Sequence, residues 1–108
     1  MCTLRIILKF IVFKACVETG TTRIVYTSTY NVVFGGQEIR NGDSSLPYFP
    51  VDQHVDHYSK TKSIAEQEIR NANGMEMTEG RILKTCALRC AGIYGEGEMR
   101  HLPRIVVR

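Results

Sequence analysis

The sequence predicts an α/β chain built on part of a parallel sheet, and three observations predict it. Two segments of helical periodicity are each followed, after a glycine, by a short apolar run rich in β-branched residues. Between the two helix–strand pairs lies a long stretch marked by turn residues, from Gly35 to Asp56. Near the start of the second helical segment, in Tyr58-Ser59-Lys60-Thr61-Lys62, a tyrosine and a lysine stand four residues apart.

In the first segment Leu4, Ile7, Leu8, Ile11 and Ala15 recur at helical spacing, and Gly20 follows as a C-terminal cap, which predicts a helix over 4–18. Phe10, Phe13 and Val17 make it apolar on further sides, as suits burial between layers or against a partner. Arg23 to Thr27 then reads as a buried strand of a parallel sheet, and the chain turns polar at Thr27, Ser28, Thr29, Tyr30 and Asn31. In open α/β sheets ligands bind beyond the carboxyl ends of the strands, so hydroxyls here are placed to meet one.

Gly35-Gly36, Asn41-Gly42-Asp43, Pro47 and Pro50 predict a long loop, and a connection of that length is more often functional than idle. The second helix is predicted from Asp56, as N-cap, to Ala72, with Gly74 ending it. Counting about 100° per residue from Tyr58, Lys62 falls at about 40°, Ile69 at about 20° and Ala65 at about 340°, which puts Lys62 inside the apolar stripe. Ser59, Lys60, Ser63, Glu66, Gln67 and Arg70 occupy the opposite arc and are expected to face solvent. Ile82 to Arg89 reads as the next strand, Cys90 to Gly97 as a glycine-punctuated loop walling a site, and His101 to Val107 as the start of another apolar element.

The spacing of Tyr58 and Lys62 suits proton transfer to or from an alcohol oxygen. Five tyrosines and five lysines in 108 residues give about 0.2 such pairs by chance, so the inference rests on where the pair falls. A free phenol, with a pKa of about 10, is a poor base at neutral pH by roughly 4 kcal/mol. A lysine cation on the same helix face favours the phenolate and removes part of that deficit.

A chain of 108 residues with 44% hydrophobic content can form one small domain. The net charge of +3 is modest and the 14 basic residues are scattered, which weighs against a nucleic-acid surface. Cys2, Cys16, Cys86 and Cys90 form no CxxC pair and stand apart from the histidines, so no metal site is expected. Lys9 and Lys14 interrupt the apolar run Leu4 to Val17, so neither a secretory signal nor a membrane span is expected.

Three pieces in order resemble the extended short-chain dehydrogenase/reductase superfamily: Ile24 to Thr29, a strand with a Ser/Thr-rich turn; Tyr58-x-x-x-Lys62; and Leu88-Arg89-x-x-x-Ile93-Tyr94-Gly95. Residues 23–36, 56–66 and 86–106 are most similar to the 3β-hydroxysteroid dehydrogenase/isomerase-like group, in particular family 42E, and the resemblance covers residues 13–107. It implies a Rossmann-type, doubly wound parallel sheet, of which this chain is one incomplete domain with a divergent start at residues 1–12. It further implies an NAD-dependent oxidation of an alcohol, or the reverse, with NADP open, on a small-molecule substrate such as a steroid. By that resemblance Tyr58 accepts the proton, Lys62 holds the nicotinamide ribose, and Thr29, with Ser28 as substitute, hydrogen-bonds the reacting oxygen. Thr27, Ser28, Arg89, Cys90 and Ala91 join Tyr58 and Lys62 around the cofactor.

The glycine-rich turn and the acidic ribose-binding residue of such proteins do not occur in this sequence, and Cys90 stands where relatives usually carry Pro. The chain therefore reads as a central segment. The resemblance also implies association of a full-length relative with the cytoplasmic face of the endoplasmic reticulum, and a homo-oligomer is left open. Two other readings share these residues: a sugar-nucleotide or ketone reductase/epimerase of the same superfamily, and a non-catalytic short form that acts by pairing with a partner.

Overall fold

The computed structural model describes residues 2–100 and Pro103. Helix α1 spans Cys2–Glu18, strand β1 Arg23–Thr29, helix α2 His57–Asn71 and strand β2 Lys84–Cys90, with short 3₁₀ turns at Tyr30–Val32, Val51–Gln53 and Thr78–Gly80. The strands pair in parallel, from Arg23 opposite Lys84 to Thr29 opposite Cys90. This is the α/β arrangement expected, a segment of a Rossmann-like sheet with both helices in place. The element expected from His101 onward lies, apart from Pro103, outside the described residues.

Glycine ends both helices for the same reason. Gly20 adopts a left-handed φ of 74°, which lets Thr21 N donate back to Cys16 O at 2.9 Å and closes α1. Gly74 turns at a φ of 85° and donates to Leu83 O at 2.8 Å, so the chain reverses from α2 directly into β2. At the other end of α2, Asp56 Oδ2 accepts from Ser59 N at 2.9 Å and from Ser59 Oγ at 3.0 Å, as an N-cap should.

Strand residues alternate. Ser28, Thr85 and Arg89 reach α2 through hydrogen bonds, whereas Val25 and Leu88 on the outer face are 62% and 56% exposed. Strands expected to be buried on both faces are thus covered on one among the described residues. β1 also runs two residues further than expected, to Thr29, and β2 is shifted to end at Cys90. Helix α1, expected between layers or against a partner, exposes Phe10, Ile11 and Val12. Among the described residues its main neighbour is α2, and one neighbouring helix cannot cover an apolar surface on several sides.

The interior sits where α2 meets the sheet: Val32, Val33, Ala65, Ile69, Met77 and Leu83 are buried, and so are Ser28, Thr29, Ser59, Thr61, Ser63 and Glu66. The arc of α2 expected in solvent therefore contributes Ser59, Ser63 and Glu66 to the interior, while Lys60 and Arg70 remain exposed. The connection 35–56 is irregular apart from its single 3₁₀ turn and folds back onto this interior. Phe49 N donates to Val32 O at 2.9 Å, and the Phe49 ring lies where a Cβ on Gly35 would stand. Only glycine fits there.

Candidate active site

The carboxyl end of β1 and the first two turns of α2 meet at Lys62. Its Nζ donates to Thr27 O at 2.7 Å and lies 5.1 Å from the ring centroid of Tyr26 and 5.9 Å from that of Tyr58. The ammonium thus sits between two π faces, an arrangement that attracts a cation. Tyr58 is 43% exposed, so its hydroxyl can be reached from solvent. Lys62 is half-buried on the helix face it shares with the buried Ala65 and Ile69, and its head reaches the carbonyl of Thr27.

Two phenols compete for the same lysine, and their surroundings separate them. Burial pushes the Tyr26 phenol well above its ordinary value of 10.0, and the charges of Glu66 and Tyr58 add to the shift. Tyr26 therefore stays a neutral phenol at physiological pH. It is a wall for Lys62 rather than a base, and no motif in the sequence marked it.

Thr29 closes β1 and is buried, with Oγ1 accepting from Asn31 N at 3.4 Å, a long bond that leaves its hydroxyl proton available. Ser28 points to the opposite side of the strand and donates to Glu66 Oε2. Its hydroxyl is committed to α2, which separates the roles of two neighbours that the sequence left interchangeable.

Glu66 is fully buried and gathers donors from β1, from the connection 35–56 and from β2. Tyr48 OH donates to Oε1 at 2.8 Å, and Arg89 reaches the same oxygen through Nε at 2.9 Å and Nη2 at 2.7 Å. Arg70 Nη1 in turn donates to Tyr48 OH at 2.9 Å. Burial by itself pushes the carboxyl up, but the hydrogen bonds from Arg89, Ser28 and Tyr48, with the charge of Arg89, outweigh it and hold the group below the ordinary carboxylate range. Arg89, expected beside the cofactor, thus turns its guanidinium into this cluster and over the Tyr48 ring. Glu66 stands one turn beyond Lys62, and that i, i+4 relation was the one signal the sequence offered for it.

Cys90 is the half-buried last residue of β2, and Ala91 opens the exposed loop in which Ile93 and Tyr94 are 66% and 76% exposed. A cleft of about 920 Å³ runs along β2 between Tyr30, Phe34, Ile39 and Leu46, with Glu66 and Arg89 in its wall; neither Tyr58 nor Lys62 lines it. On the other side, Lys62 brings an ammonium to within 5.9 Å of the Tyr58 ring and bonds the carbonyl of Thr27, two residues before the end of β1.

The model of the 3-beta hydroxysteroid dehydrogenase/isomerase family matches residues 10–107. The chain belongs to that family. Its relatives include short-chain dehydrogenase/reductase family 42E member 1 of Mus musculus, 64% identical over 88% of this chain, and that of Bos taurus, 62% identical over the same share. 3 beta-hydroxysteroid dehydrogenase type 7 of Mus musculus is 45% identical over 80% of the chain. In each case the match covers 24% of the relative, so the chain spans about a quarter of the length of the curated relatives it matches. No solved structure matches it. Family membership places the chain in the short-chain dehydrogenase/reductase superfamily. Among the described residues no helix is long and apolar enough to cross a membrane.

Proposed function

We propose that this chain is the catalytic segment of an NAD-dependent alcohol dehydrogenase of the short-chain type that oxidises a 3β-hydroxysteroid or a similar apolar alcohol. One observation carries the proposal: Tyr58 and Lys62 share a helix face near the end of β1, with the lysine Nζ 5.9 Å from the Tyr58 ring centroid and bonded to Thr27 O, two residues before Thr29. The 45% identity to 3 beta-hydroxysteroid dehydrogenase type 7 supports the steroid as substrate class.

The donor set fits a nicotinamide cofactor, because an ammonium and an exposed phenol face the region beyond the strand ends where such groups lie in α/β sheets. Lys62 would hold it with Tyr58, and the strand-end residues Thr27 and Ala91 would flank it. When bound, the nicotinamide supplies the acceptor for hydride. Thr29 donates its hydroxyl proton to the substrate oxygen and orients it. Tyr58 takes the proton from that oxygen, with the Lys62 cation 5.9 Å from its ring centroid. Tyr26 and the stem of Lys62 keep water from one side of the pair.

The test sets residues 10–107 into the full-length mouse family 42E relative in place of their counterpart and follows reduction of NAD or NADP by absorbance. Tyr58→Phe should abolish turnover with cofactor affinity unchanged within a few-fold, while Lys62→Met should weaken both. Turnover retained in Tyr58→Phe sinks the assignment. The apolar surface of α1 at Phe10, Ile11 and Val12 favours a further reading in which the protein self-associates, and sedimentation of Phe10→Glu against the parent tests it.

A further inference from the structure

Three consecutive residues at the end of β1 are treated differently. Thr27 offers its carbonyl to Lys62, Ser28 gives its hydroxyl proton to Glu66, and Thr29 keeps its own proton available. Both ties run to one helix, to positions one and two turns beyond Tyr58. The bond from Lys62 is not a permanent tie if that lysine also serves a ligand, as the catalytic reading requires. Glu66 has no such second duty: it is fully buried, ionised, and already engaged by Arg89 and Tyr48.

We infer that Glu66 and Ser28 form a positioning pair, in which the buried carboxylate holds the strand end that carries Thr29 in register with Tyr58. The inference rests on the catalytic reading above and adds to it. The ion pair with Arg89 ties Glu66 to β2 and the bond from Tyr48 ties it to the connection. The Ser28 link is its tie to β1, and it fixes the strand at the residue next to Thr29. Displacement of a reacting group by about 1 Å costs on the order of a hundred-fold in rate, so one strand-end bond can matter to turnover while mattering little to folding.

The variant that isolates the link is Ser28→Ala, which leaves Glu66, Arg89 and Tyr48 intact. In the 108-residue chain, amide hydrogen exchange at residues 28–31 should rise about ten-fold relative to that in β2. In the full-length carrier, kcat should fall about ten-fold or more, with cofactor affinity within three-fold of the parent and KM little changed. Glu66→Gln, which sets an amide against Arg89 and Ser28, should raise exchange at the same residues, and it supplies the readout if Ser28→Ala does not accumulate. Unchanged exchange in both variants overturns the tether, and raised exchange with an unchanged kcat overturns its catalytic role. Loss of turnover in Tyr58→Phe together with full turnover in Ser28→Ala overturns this inference alone. Turnover retained in Tyr58→Phe overturns the catalytic reading on which it rests.

Discussion

Helix α2 carries two polar regions a turn apart that obey opposite rules. At its start Tyr58 is 43% exposed, and its near neighbour Lys62 is held by one backbone carbonyl and two ring faces. One turn later Glu66 is fully buried and bonded to Ser28, Tyr48 and Arg89. A buried group whose hydrogen-bonding capacity is used up by the protein holds elements together. Exposure thus separates the proposed working end of the helix from its anchoring end better than residue type does.

The contrast breaks if removing the anchor leaves the fold intact. Glu66→Ala should cost on the order of 3–5 kcal/mol, because Arg89 would stay buried without its counter-charge, and urea unfolding should show a chain close to unfolded. Tyr58→Phe, expected to abolish turnover in the full-length carrier, should change stability by less than about 0.5 kcal/mol, since the ring is kept and the residue is 43% exposed. A Tyr58→Phe chain as unstable as Glu66→Ala would erase the distinction.

Acid sharpens it. The folded-state pKa of Glu66 lies below its ordinary value of 4.5, so the cluster's contribution is fully present above that value and is lost as pH falls through the folded pKa. Melts recorded from neutral pH downward should therefore lose stability below about pH 4.5, with Glu66→Gln losing less over the same interval. A parent and a Glu66→Gln chain of identical slope would remove the carboxylate from the account.

Smaller effects bound the comparison. The Asp56 cap, whose carboxyl is driven up by burial but held below its ordinary value by bonds from Ser59 and by His54, should cost about 1 kcal/mol when changed to Ala. Arg40 and Glu38 pair at 2.8 Å on the exposed connection, and Glu38→Gln there should change stability by less than about 0.5 kcal/mol in thermal melts. An effect as large as that of Asp56→Ala would show that surface geometry, and not burial, sets the scale in this molecule.

What the sequence by itself determined was local. The order of helix, strand, helix and strand, the Asp56 cap, the stops at Gly20 and Gly74 and the shared face of Tyr58 and Lys62 all follow from relations within a few residues, where backbone preference and helical period act. The tertiary structure alone decided which arc of α2 is buried. Glu66 reads as a surface residue because it falls on the polar arc of α2, among Ser59, Lys60, Ser63, Gln67 and Arg70; its donors Tyr48, Arg89 and Ser28 lie 18, 23 and 38 residues away. A buried charge is tolerated only when such partners arrive together, and their arrival is set by the packing of a long connection and two strands on one helix, which no periodicity encodes.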